Sequence, residues 1–123
     1  MSIARLGAIS LDSDDPSTLA RFYGELLALP VVHESDELVV LKAKGVFITV
    51  ERVLHHSPPD WPDTTVPKQM HLDLFVDDLD KAEQAALAAG ARMPDTQPSP
   101  QKWRVLIDPA GHPFCVTLPP GSP

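Results

Sequence analysis

The chain has a single cysteine, Cys115, in 123 residues, which excludes an internal disulfide and suits a reducing compartment. No apolar run reaches the roughly 18 residues a bilayer demands, so a membrane-spanning helix is excluded. Basic residues are scarce: 10 Lys and Arg stand against 17 Asp and Glu, for a net charge of −7. A surface of that sign repels a phosphate backbone, and nucleic acid is not an expected partner. The six glycines form no phosphate-cradling loop and no nucleophile elbow. The opening "MSIARLGAISLDSDD" lacks the apolar core and cleavage site of a secretory signal, so the expected location is cytoplasmic. What is present, 43% hydrophobic residues over 123 positions, is enough for the core of one soluble domain spanning 1–123.

Two helices are legible. In "DDPSTLARFYGELLALP" Asp15 can cap, Pro16 suits the first helical position, and Leu19, Phe22, Tyr23, Leu26 and Leu27 form one stripe that Pro30 ends. In "DDLDKAEQAALAAGA" Asp77 or Asp78 caps, Leu79, Ala82, Ala86 and Ala89 recur at helical spacing, and Gly90 terminates. Elsewhere the period is that of strands: "IARLGAISL", "ELVVLKA", "GVFITVERV", "QMHLDLFV", "WRVLI" and "HPFCVTL".

That order repeats. Ala8 to Ala20, "AISLDSDDPSTLA", and His71 to Glu83, "HLDLFVDDLDKAE", both run an alternating strand into paired aspartates and a helix, which makes Ala8 and His71 equivalent. Extending the comparison to "KGVFITVERV" and "AGHPFCVTL", with an insertion of about a residue, sets Glu51 opposite Cys115. The halves, 1–55 and 68–120, are joined by a proline-rich segment over 56–67 that reads as a linker or flap. The tail "LPPGSP" is expected to fray.

Alternation sorts the side chains. Met70, Leu72, Leu74 and Val76 share a face expected beneath a helix, and His71, Asp73 and Phe75 share the other. Treated alike, the remaining strands give a mixed face bearing Ser10, Thr49, Glu51, Cys115 and Thr117, a candidate ligand cup with Trp103 as its floor. Trp61, in the proline-rich segment, reads as an anchor to a partner chain or as a closure over a ligand.

The ordered set "DPSTLARFYGELLAL", "MHLDLFVDDLDKA", "AAGAR" and "DPAGHPFCV" resembles the vicinal oxygen chelate superfamily, which includes glyoxalase I, extradiol dioxygenases, fosfomycin-inactivating transferases and bleomycin resistance proteins. The nearest likeness is to small glyoxalase-like proteins ending in a His-Pro-Phe-Cys strand. The resemblance implies an α+β fold of two βαβββ modules, a curved mixed sheet around a cavity with helices outside, commonly assembled as a homodimer. It also implies metal ligands on the first and fourth strands of each module, carried over to Ala8, Glu51, His71 and Cys115. Alanine offers no donor, and cysteine stands where glutamate is usual. A divalent metal such as zinc on Glu51, His71 and Cys115 is the one cofactor this set admits.

Each residue also has a plainer reading. Cys115 is a ligand, a reactive thiol or a small apolar filler. His71 either works, with Glu51 as an acid–base pair, or is a structural histidine bonded to Asp73 or Glu51. His55 and His56 read as surface loop, and His33 and His112 as structural or exposed. The leading expectation is a small-molecule-binding protein with a cavity lined by Ser10, Thr49, Glu51, His71, Asp73, Phe75, Trp103, Cys115 and Thr117. The rival is a lyase, isomerase or dioxygenase.

Overall fold

The computed structural model describes residues 2–120; the last three residues of the tail lie outside the described residues. The chain forms two compact units, Met1–His56 and Ser57–Pro123. The first carries β1 (Ala8–Ser13), α1 (Pro16–Leu27), β2 (Val31–Glu34), β3 (Leu38–Ala43) and β4 (Val46–Arg52). The second carries β5 (Leu72–Phe75), α2 (Leu79–Ala89), β6 (Trp103–Ile107) and β7 (Pro113–Thr117). The sheets are open, ordered β1-β4-β3-β2 and β5-β7-β6, with the first strand of each unit parallel to the last. Among the described residues no helix is long and apolar enough to cross a membrane.

Both helix starts follow the capping chemistry. Thr18 donates its backbone N–H to Asp15 Oδ1 at 3.3 Å and its hydroxyl to Oδ2 at 2.6 Å, which holds the Asp15 carboxyl below its ordinary range. Pro16 follows at the first helical position. Asp78 likewise accepts from Lys81 N, and Gly90 closes α2 at φ 121°. The α1 stripe delivers Leu19, Phe22 and Tyr23 into a core with Val39, Leu41, Ile48 and Val50. The shorter alanine stripe of α2 packs on β6 and β7 through Leu79 and Ala86. Arg104 of β6 fastens that contact by donating to Asp80 at 2.7 Å and Glu83 at 3.2 Å.

Some elements depart from the sequence reading, each for a physical reason. β2 has no alternation to betray it, since all four residues are exposed and its order comes from pairing with β3. Ile3 to Gly7 stay out of β1, whose register with β4 begins at Ala8 opposite Phe47. Met70 is 77% exposed instead of lying beneath a helix, because β5 starts only at Leu72. The second unit follows the βαβββ order with one strand reduced to a trace. Alongside β6 run only the Arg92–Ile107 bridge and the Gln97 amide, which accepts from Val105 N and donates to Val105 O, both at 2.9 Å. Pro94, Pro98 and Pro100 punctuate that segment, and residues without N–H cannot extend a ladder.

Candidate functional site

The second unit gathers most of the expected site residues. In the parallel pair Asp73 sits opposite Cys115 and Phe75 opposite Thr117, so the period of two aims all four to one side. His71, one residue ahead of β5, continues that line. Its Nε2 lies 3.1 Å from Asp73 Oδ1, and its Nδ1 lies 3.3 Å from Lys68 Nζ. A lysine ammonium only donates, so Nδ1 is the acceptor and the ring proton sits on Nε2, donated to Asp73. One tautomer satisfies both contacts.

Cys115 lies beside this chain on β7, opposite Asp73. It is 8% exposed, and burial pushes its thiol up, helped by the Asp73 charge, with the Lys68 charge working the other way. A buried thiol beside a carboxylate charge is a poor nucleophile, and the reactive-thiol reading has no support in this geometry.

These groups line a cleft of about 540 Å³ in the second unit. Trp61, Phe75 and Trp103 supply its aromatic surface, with Val105 and Leu118, while Lys68, His71 and Asp73 supply its polar side. Trp61 arrives on a braced loop: Val66 donates to Asp60 Oδ1, Asp60 N to Val66 O, both at 3.0 Å, and Asp63 N to Asp60 O at 2.9 Å. Further back, the loop rests on the turn before β7. There Gly111 has φ 93°, and a Cβ on it would meet Pro58 at 2.3 Å. Asp108 organises that turn, its buried Oδ1 accepting from Ala110 N at 2.9 Å and His112 N at 3.0 Å.

Lys68 was not a sequence candidate. It precedes β5, where alternation carries no information, and its only cue is being a basic residue three positions before His71. Trp61 lines the cleft.

The other expected residues stand on the first unit. Ser10 and Thr49 face each other in register and share a hydrogen bond between their hydroxyls. Glu51 is exposed at the far end of β4, opposite Asp12. The registers correct one equivalence. If Ala8 matches His71, then Ser10 matches Asp73, and their partners Thr49 and Cys115 match each other. Counting from the turn glycines Gly45 and Gly111, both at positive φ, gives the same result with no insertion. The fourth-strand place assigned to Glu51 therefore belongs to Thr49, and Glu51 corresponds to Thr117.

Among the described residues the group able to hold a metal is His71, Asp73 and Cys115, with one donor atom from each lying within 4.8 Å of the others. Nitrogen, oxygen and sulfur donors suit zinc by type. Their protons do not. Nε2 carries the ring hydrogen and gives it to Asp73, and burial keeps the thiol protonated. Metal-binding histidines give their remaining N–H to an acceptor, whereas the neighbour of Nδ1 here is a cation that donates. As wired, the group does not fit a metal.

Comparison with known proteins agrees with this architecture. A glyoxalase-like domain model matches residues 8–117. A glyoxalase-related enzyme from Fulvimarina pelagi has a similar fold, at 22% identity and TM-score 0.70 over 98% of this chain and 92% of that one. A glyoxalase/bleomycin resistance protein/dioxygenase family enzyme from Burkholderia phytofirmans PsJN is similar at 17% identity and TM-score 0.73, covering 94% and 98%. The bleomycin-binding protein from bleomycin-producing Streptomyces verticillus, in complex with copper(II)-bleomycin, is similar at 16% identity and TM-score 0.62, covering 97% and 99%. No curated protein sequence matches the chain significantly. Two parallel-closed units, the "DPAGHPFCV" turn and strand, and a family match over almost the whole length agree: the chain belongs to the glyoxalase-like domain family, within the vicinal oxygen chelate superfamily.

Proposed function

We propose that this chain is a small-molecule-binding protein whose second-unit cleft takes an organic ligand without a metal. The observation that carries the reading is the pairing of three aromatic side chains, Trp61, Phe75 and Trp103, with a polar chain of Lys68, His71 and Asp73 in one cleft of about 540 Å³. Flat apolar surface beside a few fixed polar groups is what recognition of a drug-sized molecule requires. The bleomycin-binding protein of similar fold is a precedent for ligand binding on this architecture. The ligand is then an amphipathic molecule with an unsaturated ring system against the tryptophans and a polar group reaching Lys68 or Asp73. The reading includes a homodimer, supported by the unpaired edges that open sheets leave, and a cytoplasmic setting, which suits the free thiol.

The test is a thermal-shift screen of aromatic and heteroaromatic amines, phenols and carboxylates, with hits confirmed by tryptophan fluorescence. Compounds that raise Tm in wild type and lose the effect in Trp103→Ala and Asp73→Ala support the reading. Hits unaffected by either change place binding elsewhere and contradict it, as does a screen without a shift.

A second reading, a lyase, isomerase or dioxygenase, draws on the closeness of the His71, Asp73 and Cys115 donors. In it His71 moves a proton at the substrate, with Asp73 beside it in the place expected of Glu51. Turnover of a cleft-binding compound that disappears in His71→Ala while binding persists would favour it.

A further inference from the structure

We infer that Lys68 locks the polarity of His71, keeping the ring a hydrogen-bond donor at Nε2 and so steering the site away from a metal and toward an organic ligand. This deepens the reading of the second-unit cleft and rests on it. Lys68 Nζ stands 3.3 Å from His71 Nδ1, and His71 Nε2 stands 3.1 Å from Asp73 Oδ1. The ammonium has hydrogens to give and no lone pair to receive one. Nδ1 must therefore present its lone pair to Lys68, which leaves the ring hydrogen on Nε2, where Asp73 takes it.

A metal ion drawn to Nε2, Asp73 and Cys115 would have to remove that hydrogen. The neutral ring could move it to Nδ1, but an N–H there would point at the Lys68 ammonium, donor against donor. Lys68 would have to withdraw, giving up its contact, and its own charge would repel the dication. Histidine ligands elsewhere have an acceptor in that outer position, and its loss typically costs about 10–100-fold in metal affinity. Here the outer position is filled with the opposite polarity. The same arrangement presents a fixed donor–acceptor sequence to the cleft. Lys68 is thus a positioning residue acting through His71.

The experiment uses the full chain and zinc chloride alone as probe. Zinc affinity is measured by competition with a chromophoric chelator for wild type, Lys68→Gln and Lys68→Met, and the His71 ring nitrogens are read by ¹⁵N NMR in metal-free wild type. The NMR is expected to find the hydrogen on Nε2. Zinc affinity is expected to rise by about tenfold or more in Lys68→Gln. It should rise less in Lys68→Met, which removes the charge but supplies no acceptor. A hydrogen on Nδ1 in the wild type overturns the inference, and so does an unchanged zinc affinity in Lys68→Gln. Equal gains in both variants assign the effect to charge alone and also overturn it. Circular dichroism establishes that the variants are folded, which the half-buried position of Lys68 outside the strands favours. Binding of screening hits is a separate readout: if hits persist in Lys68→Met while zinc affinity does not change, the lock fails and the binding reading stands.

Discussion

Between β5 and β7 one carboxylate lies beside a ring and a thiol. Asp73 takes the His71 Nε2 hydrogen, while burial first and the Asp73 charge second keep the Cys115 thiol protonated. The cysteine is a packing residue. Its folded-state pKa lies above the unfolded one, so as pH rises the unfolded chain gives up its thiol proton first. The stability Cys115 contributes is intact below the ordinary thiol value of 9.0 and is lost as pH climbs from there through the folded value. Urea unfolding between pH 7 and 10 should show wild type losing more stability over this interval than Cys115→Ala. Alkylation by iodoacetamide at neutral pH should be slower for Cys115 than for free cysteine, and a faster reaction would mean that burial and the Asp73 charge do not keep the thiol protonated. Alternation along "MHLDLFV" and "HPFCVTL" already set His71, Asp73, Phe75, Cys115 and Thr117 on one face. Lys68 and Trp61 escaped it, because both reach the cleft from irregular chain whose side-chain direction follows from tertiary contacts.

At the scale of elements, the caps and turns carry the organisation. Removing the Asp15 cap should cost about 1 kcal/mol, measured as the chemical-denaturation difference between wild type and Asp15→Ala; no difference would mean that Thr18 finds another acceptor. The turn before β7 has a second duty. Gly111→Ala puts a side chain at φ 93° and into Pro58, so it should lower stability by about 1 kcal/mol or more. Because the loop over 57–69 also carries Trp61 and Lys68, it should weaken ligand binding as well, and calorimetry with a confirmed screening hit reads that effect. Stability lost with affinity unchanged would show that the Pro58 contact does not position Trp61. Helix starts were legible because capping is local chemistry written in neighbouring residues. β2 and the reduced strand beside β6 were not, since both are defined by what lies alongside them: backbone pairing for Val31–Glu34, and for Gln97 a side chain imitating a strand.

For the whole molecule, the repeat seen in the sequence is real at the level of topology, as each unit runs its first strand parallel to its last around one helix. Its chemistry is unequal. The places matching His71, Asp73 and Cys115 hold Ala8, Ser10 and Thr49, two small hydroxyl residues bonded to each other and an alanine. The first unit thus offers neutral polar groups where the second offers charge, and the misplacement of Glu51 came from an insertion that the two turn glycines do not require. The proposed homodimer is checked by sedimentation velocity at micromolar concentration, where a dimer is expected and a monomer would contradict it.

Whether the second-unit cleft works without a metal because its hydrogen-bond polarity opposes one is tested by equilibrium dialysis. Wild-type protein purified without chelators is dialysed against micromolar zinc, passed through a desalting column and analysed for its elements. Far less than one equivalent is expected to be retained. One equivalent held through the column, and lost in His71→Ala, would contradict it and bring the metal-dependent reading forward.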